Sequence, residues 1–395
     1  MVRKISLVLV LFLAISLVFQ GSTAKTSPED ELEAPVYLLG EPKSGEILLE
    51  QDKQEQVYPA SITKIMTLLL TMEALENEQI ALEEEVIVPR EAEDIPGTTI
   101  FLQQGEKITV DDLITAIAVG SANDASIAIA KHISGTVDNF VDEMNDKARE
   151  LGMKNTNFEN PHGLHHDEHV TTAEDIFIMA SELGKYEEIH DWLEIWLIED
   201  FLQGKKVVED DEEGIFLSNT NRLVNQYPGC DGFKTGFTEE SKHSITATAK
   251  QNGERYIAII MSHEDSDGRF EEAMNLLDYG FANYQTNTIL EKGDLVARVK
   301  INKGDQEYLP LLVKEELVAV TEESDEIEIE EEHQIPDDLS PPIVEGDKVG
   351  EYQISYGNKE SQVALIAGED VKEAGITDHF SRLIKNWMSF WTGEK

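Results

Sequence analysis

Cysteine and positive charge are both scarce in this chain. Among 395 residues there is one cysteine, Cys230, so no intramolecular disulfide can form and packing alone must hold the fold. Its thiol reads as a small buried side chain; a reactive group four residues before Lys234 is the other reading. Lys and Arg number 32 against 79 Asp and Glu, for a formal net charge of −47. Such a surface repels polyanions and excludes nucleic acid as a partner. The same excess suits a saline or alkaline exterior, where an anionic, well-hydrated surface stays soluble. Long apolar runs are few. The most prominent, Ile5–Phe19, falls short of the roughly 20 residues a spanning helix needs. With Arg3-Lys4 before it and Ser22-Thr23-Ala24 after it, the run reads as a secretory leader cleaved after Ala24. A retained membrane anchor is the alternative. A cleaved leader places the mature chain outside the cytoplasmic membrane.

What is present begins with Ser61-Ile62-Thr63-Lys64, which follows Pro59-Ala60 and opens the apolar helical run Ile65–Leu75. A hydroxyl and an amine three residues apart at a helix start lie on one face, one turn from each other. A neutral Lys64 there can take the proton of Ser61 and make it an acylating nucleophile. Alone the pattern is weak, since Ser-x-x-Lys arises by chance roughly once in a chain this long. Two further pieces follow in order. Ser121-Ala122-Asn123 precedes the helical stretch Asp124–Ile133, and Lys234-Thr235-Gly236 precedes the strand-like run Ser244–Lys250. Ser-x-x-Lys, Ser-x-Asn and Lys-Thr-Gly together form the signature of serine acyl-transferases that act on D-Ala-D-Ala peptides and penicillins.

Periodicity supplies the frame. Residues 36–39 and 46–50 read as a hairpin across Pro42–Gly45. Val110–Val119, Asp124–Ile133, Val137–Leu151 and Thr172–Lys185 carry apolar residues at helical spacing. Ser244–Lys250 and Arg255–Met261 read as strands joined through Asn252-Gly253, a two-residue hairpin turn, and Phe270–Tyr284 as a closing helix. Beyond Gln285 come short strands: Val296–Ile301, Tyr308–Val313, Leu317–Thr321, Glu351–Tyr356 and Gln362–Ala367. The acidic run Glu322–Glu332 reads as a charged edge strand or a solvated loop. Phe380, Leu383, Ile384, Trp387, Phe390 and Trp391 then fall on one helical stripe, flanked by Arg382 and Lys385. That pattern suits a membrane interface; docking on the protein's own body is the other reading.

The segment TIFLQQGEKITVDDLITAIAVGSAND, residues 99–124, resembles the low-molecular-mass penicillin-binding proteins that are D-alanyl-D-alanine carboxypeptidases. So do residues 160–164, 219–223, 232–238 and 268–281. The resemblance spans about Pro35 to Tyr284 and continues more loosely to the C-terminus. It implies an α/β two-lobed catalytic domain of the β-lactamase and transpeptidase kind, a helical lobe set on an antiparallel sheet. A small all-β domain and a C-terminal amphipathic helix follow. The expected divisions are 1–24 leader, 25–285 catalytic domain, 286–376 β-rich domain and 377–395 anchor helix.

The implied roles are residue by residue. Ser61 is the nucleophile, Lys64 its base, Ser121 a proton relay, and Asn123 orients Lys64 and the substrate amide. Lys234, Thr235 and Arg269 bind the substrate carboxylate, with a surface ion pair as the plainer reading of Arg269. Gly236 completes the Lys-Thr-Gly piece, and the backbone N–H of Phe237 supplies an oxyanion donor beside that of Ser61. The expected partners are the peptidoglycan pentapeptide with its D-Ala-D-Ala terminus, β-lactam antibiotics, and the outer leaflet of the cytoplasmic membrane through the terminal helix. No cofactor is needed. The cluster His162, His165, His166, Asp167, Glu168 and His169 offers ligands of the zinc type, but residues 160–164 read as a structural loop of the family. A D-Ala endopeptidase, a β-lactamase-like hydrolase and a catalytically silent wall scaffold stay open beside the carboxypeptidase.

Overall fold

The computed structural model describes residues 27–203, 214–322, 328–336, 339–357 and 359–375. The expected leader and the stripe from Phe380 to Trp391 lie outside them. Two compact units divide between Tyr284 and Gln285. Among the described residues, no helix is long and apolar enough to cross a membrane.

The first unit is built on a five-stranded sheet. Strands β1 (Val36–Glu41) and β2 (Glu46–Gln51) form the expected hairpin. The buried Glu41 carboxylate accepts the N–H groups of Lys43 and Ser44 at 3.1 and 2.7 Å and closes the turn. Strands β3 (Cys230–Thr238), β4 (Lys242–Gln251) and β5 (Glu254–His263) complete the order β2-β1-β5-β4-β3, every pair antiparallel. Asn252 and Gly253 between β4 and β5 both have positive φ, 54° and 94°, as the tightest hairpin turns require. Side chains alternate across the sheet. Val36, Leu38, Ile257 and Ile259 enter the core shared with the helical lobe, while Tyr37, Leu39, Tyr256 and Ala258 face the opposite core.

Helices α1 (Lys64–Glu76), α2 (Val110–Ala118), α3 (Asn123–Ser134), α4 (Val137–Leu151) and α5 (Ala173–Leu183) make the lobe, and α6 (Gly268–Asn283) covers the other face. Residues 64–72 of α1 are all buried, as befits a helix at the centre of a lobe. By contrast α4 buries Phe140, Met144 and Ala148, one stripe at four-residue spacing. Thr109, Thr136 and Thr172 cap their helices, each accepting the backbone N–H three residues on.

Two local features differ from expectation. Ala60–Thr63 is a 3-10 turn ahead of α1 rather than its first turn, and residues i and i+3 eclipse in such a turn. Ser61 and Lys64 are thereby stacked. Lys234-Thr235-Gly236 lies inside β3 rather than ahead of a strand.

In the second unit, β6 (Tyr284–Leu290) pairs with β9 (Leu317–Glu322). A five-stranded antiparallel sheet comprises β7 (Leu295–Lys300), β8 (Tyr308–Val313), β10 (Ile329–Gln334), β11 (Lys348–Tyr356) and β12 (Lys359–Ala367), in the order β7-β8-β12-β11-β10. The described part of the acidic run is thus an edge strand from Ile329; residues 323–327 lie outside the description. Leu309, Leu311, Ile354 and Leu365 anchor an apolar core.

Candidate active site

Three chain segments meet at Lys64. Its Nζ lies 3.0 Å from Ser61 Oγ, 2.8 Å from Asn123 Oδ1 and 2.6 Å from the carbonyl of His162. The Asn123 amide is oriented by its Nδ2, which donates to the Pro96 carbonyl at 2.8 Å, so Oδ1 must face the lysine. In its neutral form the amine has two N–H bonds for the two pure acceptors, Asn123 Oδ1 and His162 O. The remaining lone pair faces the Ser61 hydroxyl, the arrangement a general base needs. Complete burial holds the Lys64 amine well below the usual lysine range; the nearby Lys234 charge adds to this and Asp124 opposes it.

Lys234 reaches the lobe from β3. Its Nζ donates to the carbonyls of Ile117 and Ala118 at 3.2 Å each, at the C-terminal end of α2 where the helix dipole is negative. Burial lowers this amine to about 7. Gly236 explains how β3 comes so close. A Cβ there would lie 2.9 Å from the Pro59 carbonyl oxygen and 3.2 Å from Ala60 Cβ, so a side chain would push the strand off the serine turn. On the turn's other side, a Cβ on Gly163 would overlap the Ala60 carbonyl. Ser121 sits just before α3 with φ 59°, and its buried hydroxyl has no hydrogen-bond partner among the described residues.

Arg269 is not the surface ion pair of the plainer reading. It is buried, its guanidinium lies 4.7 Å over the Phe270 ring, and Nη1 donates to the carbonyls of Gly236 and Ser244 at 3.0 and 3.3 Å. The ion pair nearby is Arg222 with Asp267. Nε of Arg269 is buried and has no hydrogen-bond partner among the described residues. Burial, then Arg222, lowers the group to about 10, so it stays charged at neutral pH. Thr235 is buried in the same strand, and Phe237 is exposed with its ring stacked on His243 at 4.4 Å.

Sequence reasoning missed Asp124. Its carboxylate, 1% exposed, accepts the N–H groups of Ile100, Leu102 and Ala125 at 3.0, 3.0 and 2.9 Å. Burial raises its pKa against those bonds. The two outer bonds bracket Phe101, held at φ 57° and 70% exposed, a conformation uncommon for an aromatic residue. Its adjacency to Asn123 was the only signal in the sequence. The backbone carbonyls of Pro96 and His162 carried none.

His162 and His169 serve the scaffold. His169 Nδ1 accepts the Glu159 N–H at 3.0 Å, so its proton is on Nε2 and is donated to Thr63 Oγ1 at 2.7 Å. His162 Nδ1 accepts from Leu164 at 3.2 Å. Burial depresses both rings to about 3, with Lys64 contributing. Among the described residues, no group of His, Cys, Asp and Glu is arranged to hold a metal ion. Cys230 is buried and pushed up to about 12, which removes the reactive-thiol reading.

The sequence pattern of the D-alanyl-D-alanine carboxypeptidase family matches residues 22–265. The chain belongs to that family. It is a serine-type D-Ala-D-Ala carboxypeptidase, a hydrolase of the penicillin-binding kind. Residues 284–373 match the C-terminal domain of penicillin-binding protein 5. The carboxypeptidase DacF of Bacillus subtilis is 37% identical over 374 residues, 94% of each chain. Penicillin binding protein 5 from Haemophilus influenzae has a similar structure, with a TM-score of 0.69 and 28% identity over 87% of this chain and 98% of that one. Penicillin-binding protein D2 from Listeria monocytogenes, solved in its ampicillin-bound form, aligns with a TM-score of 0.55 and 28% identity. That alignment covers 63% of this carboxypeptidase and 98% of the Listeria chain.

Proposed function

We propose that Ser61 is acylated by the penultimate D-Ala of a peptidoglycan stem peptide, that the terminal D-Ala leaves, and that water then hydrolyses the ester. Lys64 takes the Ser61 proton as Oγ attacks the carbonyl carbon. The backbone N–H groups of Ser61 and Phe237 receive the oxyanion. The leaving amine takes its proton from Lys64 through the Ser121 hydroxyl. Lys234, Thr235 and Arg269 hold the terminal carboxylate, and Asn123 positions the base and the substrate amide. The supporting observation is the Lys64 amine, buried, 3.0 Å from Ser61 Oγ, with both pure acceptors already assigned. β-Lactams enter the same site as acylating agents, in keeping with the ampicillin-bound Listeria relative.

A guanidinium at Arg269 that stays charged at neutral pH favours a substrate with a free carboxylate over an internal cross-link, and so a carboxypeptidase over an endopeptidase. The test is incubation of the purified protein with diacetyl-Lys-D-Ala-D-Ala. Released D-Ala, lost in Ser61→Ala, supports the enzyme. Tight peptide binding without release supports the silent scaffold, and rapid penicillin hydrolysis without peptide cleavage supports the β-lactamase reading.

Localisation belongs to the same proposal. The N-terminal run directs export, and the helical stripe from Phe380 to Trp391 attaches the protein to the outer leaflet, its two tryptophans at headgroup level. Vesicle co-sedimentation of the full chain against a truncation lacking residues 378–395 tests it. Binding should require the segment and strengthen as salt screens repulsion between an acidic protein and anionic lipid. Equal sedimentation of the truncated form would remove the anchor.

A further inference from the structure

We propose that the buried pair His263–Glu272 is the positioning device for Arg269, an inference that rests on the reading of Arg269 as the carboxylate-binding group. β5 ends at His263 and α6 begins at Gly268, so Arg269 stands at the second residue of a helix that follows a short exposed turn. His263 and Glu272 are 4% and 6% exposed, and their bonds are directional. His263 Nδ1 accepts the Asp265 N–H at 2.9 Å, which puts the ring proton on Nε2, donated to Glu272 Oε1 at 3.1 Å. The same carboxylate accepts the N–H groups of Glu33 and Ala34 at 2.6 and 3.1 Å. Asp265 Oδ2 accepts the Gly268 N–H at 2.8 Å, and a Cβ on Gly268 would overlap the His263 ring.

These contacts fix the start of α6 in three directions: to the end of β5, to the turn before the helix, and to the segment leading into β1. Glu272 is three residues from Arg269, hence on the same face one turn later. Its rotation about the helix axis sets where the guanidinium points. That group in turn donates through Nη1 to the carbonyls of Gly236 in β3 and Ser244 in β4. Attachment of the helix needs none of this, because Phe270, Ala273, Leu276 and Leu277 already sit in the apolar core. Burying a carboxylate such as Glu272 is a poor way to gain stability. It is a good way to fix the orientation of one turn.

The experiment uses the full protein and two peptides, diacetyl-Lys-D-Ala-D-Ala and the same peptide ending in D-alaninamide, which lacks the carboxylate. His263→Phe keeps the ring volume and removes both hydrogen bonds. Glu272→Gln keeps the shape and removes the charge, and it serves alone if the first variant does not fold. Each should raise KM for the carboxylate peptide about ten-fold, leave kcat within about two-fold, and leave kcat/KM for the amide peptide unchanged. In an Arg269→Ala background neither should have any further effect. Equal losses on both peptides, or effects that add to Arg269→Ala, would make the pair a structural tie and overturn the proposal. It is also overturned if Arg269→Ala weakens the carboxylate peptide while both variants behave as wild type. If Arg269→Ala itself changes nothing, the carboxylate-binding reading is what has failed, and the proposal falls with it.

Discussion

The two units of this carboxypeptidase bury different things. The catalytic unit puts Lys64, Lys234, Arg269, Asp124, Asp175 and Glu272 below a tenth of full exposure, together with His162, His169 and His263. In the β unit no charged side chain among the described residues is buried, and Thr321 is the small polar residue that reaches that level. Removing a charge from water costs several kcal/mol even after the protein relaxes. One unit accepts that cost repeatedly and the other avoids it. The contrast separates a region whose residues are chosen for reactivity from one whose residues are chosen for packing. It also says where substitutions should change rate and where they should change stability.

The hardest test of the contrast is Lys64→Met, which keeps the buried volume and removes the base. Acylation by a fluorescent penicillin should slow by about 10²- to 10⁴-fold, the range typical of a lost general base. Labelling at the wild-type rate would assign the proton transfer to another group. In the other unit, Leu365 is fully buried in the central strand β12. Leu365→Ala should cost that unit about 2–5 kcal/mol in denaturant unfolding, with kcat and KM for the peptide unchanged. A fall in kcat would break the division of labour. The effect confined to the narrowest range of conditions is on acid stability. His169 is depressed from 6.5 to about 3 by burial, so between those values the unfolded chain binds a proton that the folded one does not. The stability that neutral His169 confers is therefore present above pH 6.5 and is lost as pH falls toward 3, by about 1.4 kcal/mol per pH unit. His169→Gln should flatten the slope of stability against pH in that window by up to one proton. Carboxylate contributions are common to both proteins and cancel in the difference, so an unchanged slope would show that the imidazole is not held neutral.

How much of this was readable beforehand depended on sequence distance. The helix over Val137–Leu151 and the hairpin around Asn252-Gly253 are set by neighbours within a turn, and the structure has both where periodicity predicts them. Ser61 and Lys64 are three residues apart and their contact was legible for the same reason. The third acceptor on Lys64, the carbonyl of His162, is 98 residues away, and backbone groups carry no residue identity. Strand β3 is hidden in the sequence because Gly232 and Gly236 within it depress strand propensity. Gly236 is there for the close approach to Pro59 and Ala60, a tertiary demand that overrides local preference. The sequence leaves Arg269 between two readings because a surface ion pair among so many acids is locally sensible. What decides it is a contact with β3 and β4 that the closing helix alone does not announce.

Strand β10 lies at the rim of the second sheet, with Glu330, Glu331 and Glu332 all exposed along it. An open strand edge is a template for another chain. A second copy arriving in register would bring carboxylates within about 4.8 Å of one another, where like charges repel by about 1 kcal/mol per pair in water. Three such contacts in a row discourage docking at that rim. The guard is electrical, and so it is conditional. In acid, or in salt concentrated enough to shrink the screening length to a few ångströms, the rim becomes an ordinary sticky edge, and crowding on a surface would then favour edge-to-edge association through it.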